Sequence, residues 1–253
     1  MSLQFIMGNS GSGKSYCLYD TVVREAIENP DKNYLVIVPE QFTMQTQKDL
    51  CLAHPKGGIM NIDVLSFGRL AYRVFEEVGQ DARVVLDDEG KNLVLRKIAG
   101  ECEKDLKVFK GNLKKQGYIS EVKSVLSEFA QYGVDFERLD DFMKEVPPES
   151  YLHYKLDDIR TIYEKFEEYL SEKYITKEEM LDVLSDAVPY SDILKGSVVA
   201  MDGFTGFTPV QNRLIGELFS VCEKVMITVT MDGRENPYVY EHPYQIFALG
   251  KQM

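Results

Sequence analysis

Near the N-terminus the run Gly8-Asn9-Ser10-Gly11-Ser12-Gly13-Lys14-Ser15 matches the pattern G-x-x-x-x-G-K-[S/T]. Each residue type there has a use in holding a polyphosphate. Glycine lets the main chain wrap an anion without a Cβ in the way. Successive backbone N–H groups, and the N-terminus of a following helix, then point at the phosphates. Lys14 adds a cation that reaches the β- and γ-phosphates, and the Ser15 hydroxyl is placed to join a Mg²⁺ shell. Such a site also calls for an acidic residue at a strand end, and Val198-Val199-Ala200-Met201-Asp202 offers Asp202 as a second Mg²⁺ ligand. The same residues also suit a glycine-serine turn with an exposed lysine, and an acidic turn after a strand. In many ATPases a glutamate follows the aspartate and positions the attacking water. Here Gly203 follows, so nucleotide binding with slow or absent hydrolysis is expected.

A phosphate loop works only between a strand that ends at it and a helix that begins in it. Leu3–Met7 is a short apolar strand candidate, and a helical pattern covers 14–28. Further strand candidates are Tyr34–Val38, Asn61–Leu65, Ser197–Met201 and Val225–Thr230, with helical patterns at about 41–53, 66–78 and 209–222 between them. The continuous apolar run at Tyr34–Val38 is that of a strand buried on both faces. Strands alternating with helices indicate a parallel sheet covered on both sides.

The middle, 87–194, reads as helix throughout. Asp87–Lys97, Asn112–Tyr132, Tyr151–Tyr174 and Thr176–Ala187 carry apolar residues at helical spacing. Pro147-Pro148 breaks the pattern, Ser150 is a candidate cap for the helix after it, and Thr176 with Glu179 reads as a capping box.

Composition bounds the function classes. The chain has 253 residues, 44% hydrophobic and 28% charged, a mix that supports a sizeable core. Its formal net charge is -12, most of it between 87 and 196, which excludes a uniformly basic nucleic-acid coat but not a local basic groove. The four cysteines show no Cys-x-x-Cys spacing, so they are expected to be reduced thiols rather than a zinc or iron–sulfur set. No run of 18 apolar residues suggests a membrane span. The first residues lack the features of a signal peptide, and a cytoplasmic location is expected.

The order of the segments carries a resemblance. The phosphate loop is followed by Val36-Ile37-Val38-Pro39-Glu40-Gln41-Phe42-Thr43, then Ile62-Asp63-Val64-Leu65-Ser66-Phe67-Gly68-Arg69-Leu70-Ala71, then the helical middle, then Asp202-Gly203-Phe204-Thr205-Gly206-Phe207-Thr208-Pro209-Val210-Gln211. Over essentially its whole length the chain resembles the first motor-type domain of superfamily 1 helicases. In detail it is similar to the N-terminal part of the AddB (RexB) family, the B subunits of bacterial ATP-dependent helicase/nucleases. The fold this implies is α/β: a P-loop NTPase (RecA-like) parallel sheet from 1–86 plus 195–253, with an inserted all-helical subdomain at 87–194. The resemblance implies ATP and Mg²⁺ as cofactors, an AddA-type subunit as partner, and DNA as substrate in double-strand break repair by recombination. It places Gln41, Thr43, Ser66 and Phe67 towards single-stranded DNA, and Gln211 where related helicases sense the γ-phosphate. Phe67 by its residue type reads first as a core ring, and Gln211 equally suits a helix N-terminus opened by Pro209. The family also implies a nuclease domain and an iron–sulfur cluster in regions beyond this chain, which is therefore expected to be an N-terminal part.

Two other readings stay open at this point. A free-standing P-loop small-molecule kinase needs arginines gathered over the phosphates, and Arg96, Arg138 and Arg160 show no lid-like cluster. A scaffold with a vestigial loop predicts that Lys14→Ala leaves every function intact.

Overall fold

A computed structural model describes residues 2–79, 83–112, 115–171 and 173–231. Residues 232–253 of the expected α/β domain lie outside these. In chain order, strand β1 (Ser2–Gly8) leads into helix α1 (Lys14–Glu28), then β2 (Tyr34–Ile37), α2 (Thr43–Ala53), β3 (Ile62–Leu65) and α3 (Phe67–Val78). The middle carries β4 (Val84–Leu86), α4 (Asp88–Cys102), α5 (Gln116–Tyr132), α6 (Phe136–Glu145), α7 (Tyr151–Leu170) and β5 (Tyr174–Thr176). Then come α8 (Glu179–Ala187), β6 (Val198–Met201), α9 (Pro209–Val221) and β7 (Lys224–Thr230). The chain divides into two compact units, 1–80 with 181–253, and 81–180.

The first unit is built on a five-stranded sheet of order β1-β7-β6-β2-β3. All four of its pairings are parallel. Every residue of β2 and β6 is buried, as their unbroken apolar runs require when helices cover both faces. On one face Tyr34, Val36, Val198, Ala200 and Met226 pack with Leu18, Val22, Val23 and Ala26 of α1 and Leu50 of α2. Each such Val, Leu or Met side chain contributes about 1.5–3 kcal/mol by leaving water. Because the strands run the same way, the segments after β1, β2, β3 and β6 all emerge at one edge. Strand ends of this kind are where open α/β sheets bind ligands.

In the second unit, α4, α5 and α7 enclose a core that includes Leu95, Ile98, Ile119, Leu126, Ile162 and Phe166. The expected all-helical character of 87–194 does not hold. Tyr174–Thr176 is a strand that pairs in parallel with Val84–Leu86, so the helix expected to run to Tyr174 stops at Leu170. Ser150 does cap α7, accepting from the His153 N–H, and Thr176 and Glu179 exchange the two bonds of a capping box. Among the described residues no helix is long and apolar enough to cross a membrane.

Candidate nucleotide-binding site

The segment Gly8–Ser15 joins the last residue of β1 to the second residue of α1. Its glycines are needed where they stand. Gly11 and Gly13 take φ values of 75° and 85°, in the left-handed region that side-chain-bearing residues avoid. A Cβ on Gly8 would collide with Ser12 Oγ, so a side chain there would force Ser12 to shift. A backbone bond from Ser12 N–H to the Asn9 carbonyl, 3.1 Å, closes the turn. The Lys14 ammonium lies over the loop and donates to the Asn9 carbonyl at 2.7 Å.

The start of α1 differs from most other helix starts in the molecule. Side chains of Ser66, Asp87, Asp135, Ser150 and Thr208 accept from the first turns of α3, α4, α6, α7 and α9. At α1 the capping residue is Gly13, no side chain accepts, and no acidic residue sits in the first turn. The donors and positive end of the helix dipole are thus left for an anion. Ser15 is exposed beside them.

Asp202 follows β6 and is 7% exposed. Its Oδ2 accepts from the Tyr19 hydroxyl at 2.7 Å, and its Oδ1 from the Thr228 hydroxyl at 2.6 Å. Tyr19 lies on α1 one turn after Ser15, so the helix that starts in the loop also touches the strand-end carboxylate. The Tyr19 oxygen is also 3.3 Å from Thr46 Oγ1 on α2. Burial pushes the Tyr19 phenol well above its usual range, and the Asp202 carboxylate adds to that, so it remains a neutral donor at every working pH. Among the described residues no group of three or more His, Cys, Asp or Glu is placed to hold a metal ion by itself. Ser15 and Asp202 are hard oxygen donors, suited to sharing Mg²⁺ with phosphate oxygens.

The other candidates divide by exposure. Gln41 is exposed in the short 3-10 turn at Glu40–Phe42. Thr43 is buried and donates to the Glu40 carbonyl at 3.0 Å, holding the turn against α2. Ser66 is buried as the cap of α3. Phe67 is 7% exposed, its ring 5.3 Å from Phe204 and 6.4 Å from Phe207, in a three-ring cluster that ties the end of β3 to the loop after β6. Gln211 is spent in a capping box: its Oε1 accepts from Thr208 N–H at 3.0 Å. Gly203 has φ 78°, and Phe42 lies 3.6 Å from where its Cβ would be. The four-residue link Tyr19, Thr46, Asp202 and Thr228 was not foreseen in the sequence. Its one legible sign is that Tyr19 shares a helix face with Ser15.

The family model for ADDB, N-terminal, matches residues 5–253. The chain belongs to this family. The B subunit of the ATP-dependent helicase/deoxyribonuclease from Lachnoclostridium phytofermentans is 46% identical over 254 residues, covering 100% of this chain and 22% of that protein. The corresponding B subunits from Alkaliphilus metalliredigens and Clostridium tetani are 35% and 37% identical, each over 92% of this chain and 20% of the relative. The chain therefore spans about a fifth of the length of the AddB-family relatives it matches.

Proposed function

We propose that this chain is a nucleotide-binding domain of P-loop NTPase, RecA-like type, working within an AddAB-type helicase/deoxyribonuclease. The observation that carries the reading is the loop Gly8–Ser15: a glycine-built cradle at a parallel strand end, opening an uncapped helix, with Lys14 across it. In this reading the unit 1–80 with 181–253 is the nucleotide domain, and 81–180 is an insertion in it.

Bound ATP with Mg²⁺ would supply the polyphosphate and the metal; the rest falls to the chain. The N–H groups of Gly8–Ser15 would hold phosphate oxygens, Lys14 would turn from Asn9 to the β- and γ-phosphates, and Ser15 and Asp202 would hold the metal. Turnover by this chain alone is weak or absent. The residue after Asp202 is a glycine in a left-handed conformation packed under Phe42, and Gln211 is committed to its helix cap. Both features support a degenerate motor whose work is binding rather than hydrolysis.

The names of the relatives support a DNA-processing assembly, and an AddA-type subunit is the partner this reading requires, in cytoplasmic double-strand break repair by recombination. Of the four side chains assigned to DNA, Gln41 is the one exposed to meet it. Thr43, Ser66 and Phe67 shape the loops around it. Calorimetry with a non-hydrolysable ATP analogue and Mg²⁺ tests the reading. Saturable binding that Lys14→Ala abolishes is expected. Binding that persists unchanged in Lys14→Ala, or none in the unaltered protein, overturns it.

A further inference from the structure

We propose that Tyr19 is a positioning residue: its hydroxyl, with that of Thr228, fixes the Asp202 carboxylate in the orientation that serves the metal of a bound nucleotide. The inference rests on the nucleotide-binding reading above and adds to it residues that neither the motif nor the family pattern marks.

A carboxylate out of water needs donors. Asp202 is almost wholly buried at the end of β6, where an unsatisfied charge is strongly disfavoured. Both its oxygens are met by neutral hydroxyls, at 2.7 Å and 2.6 Å. Tyrosine has a single O–H hydrogen. Once that is given to Asp202, the 3.3 Å contact with Thr46 is a bond that Thr46 donates. The result is a relay, Thr46 to Tyr19 to Asp202, met from the other side by Thr228. Every hydroxyl in it is oriented towards the one charge, and each bond polarises the next. Thr46 and Thr228 are 3% and 5% exposed, which limits competition from water.

The four residues come from four elements: α2, α1, the end of β6, and β7. Tyr19 is the one that matters for the metal, because it stands one turn from Ser15 on the same helix. The hydroxyl offered to the metal and the hydroxyl that holds its carboxylate are thus set by one rigid backbone, from residues about 6 Å apart along α1. Partners of this kind orient metal ligands, and their loss typically weakens metal binding about 10- to 100-fold.

The experiment compares ATP-analogue affinity with Mg²⁺ and with EDTA in the full-length protein, for the unaltered form and for Tyr19→Phe. The ratio of the two affinities reads the metal ligands, whereas a purely structural role would shift both affinities together. The expected result is a Mg²⁺ advantage reduced about tenfold in Tyr19→Phe, with metal-free affinity unchanged. Thr228→Val serves as a second, isosteric variant should Tyr19→Phe not fold, and the same change in ratio is expected. An unaltered ratio in a folded variant, or equal losses with and without Mg²⁺, overturns the inference while leaving nucleotide binding standing. Failure of the unaltered protein to bind the analogue overturns the underlying reading, and this inference with it.

Discussion

Two buried aspartates, one in each compact unit, are satisfied in different ways. Asp158 on α7 is 1% exposed and accepts three backbone N–H groups: Lys107 at 2.8 Å on Oδ1, and Val108 and Phe109 at 2.7 and 2.8 Å on Oδ2. Asp202 accepts two side-chain hydroxyls. A backbone N–H can only donate, and the turn that presents three of them fixes the carboxylate for good. A hydroxyl rotates and can accept as readily as it donates. The first arrangement clasps a turn to a helix. The second holds a charge ready while leaving its surroundings able to adjust when a cation arrives. Being buried and charged does not distinguish a site from a staple; the nature of the donors does.

The sharpest way to break this contrast is to make the same substitution at both aspartates. Asp158→Asn brings an amide N–H₂ towards backbone donors that cannot turn away, and should cost about 3–5 kcal/mol in urea unfolding. Asp202→Asn leaves its hydroxyl partners free to reorient, and should cost about 1 kcal/mol. Its Mg²⁺ advantage in nucleotide binding should nevertheless vanish. Equal destabilisation at the two positions would erase the distinction.

A third carboxyl tests a different environment. Glu167 on α7 is held at about 7, first by burial and then by the charge and hydrogen bond of Glu179. Its folded value lies above its unfolded one, so its contribution to stability is whole below about pH 4.5 and is lost as pH rises to about 7. Partial exposure screens the effect, leaving about 1–2 kcal/mol. Glu167→Gln should flatten that fall when unfolding is followed from pH 4.5 to 8. The smallest functional effect is expected at Gly203. With φ 78° and ordinary contacts around the missing Cβ, Gly203→Glu should lose about 1 kcal/mol to backbone strain alone. A phosphate-release assay should detect no new turnover, since the added side chain would start out packed on Pro39 and Phe42.

Where the sequence carried strong local chemistry, it was legible. The strand-loop-helix around Gly8–Ser15 and the apolar runs of β2, β6 and β7 could be read directly, because glycine spacing and continuous burial leave marks in residue type. The caps at Ser150 and Thr176 were readable for the same reason. β5 was not, since three residues that follow a helix are too few to show a period of two. α6 falls within the stretch read as helix, and its Phe136, Leu139, Phe142 and Met143 stand at helical spacing, though only Leu139 of its ten residues is buried. Gln211 carries two signals. Thr208-Pro209-Val210-Gln211 has the spacing of a capping box, and the side chain makes that local bond at the position where the resemblance implies γ-phosphate sensing. The link among Tyr19, Thr46, Asp202 and Thr228 lay out of reach because it joins residues brought together only by the sheet order.

That order also has a consequence in time. Among the described residues β1 pairs with β7 alone, Ser2 opposite Lys224, so that partner lies about 220 residues downstream. At roughly 5–20 residues per second on the ribosome, the first strand waits about 10–45 s before the strand that completes its hydrogen bonds is made. The phosphate loop is thus made about 220 residues before the strand that anchors it. A chain stalled shortly before residue 224 would carry the whole motif in a strand that lacks its β7 partner.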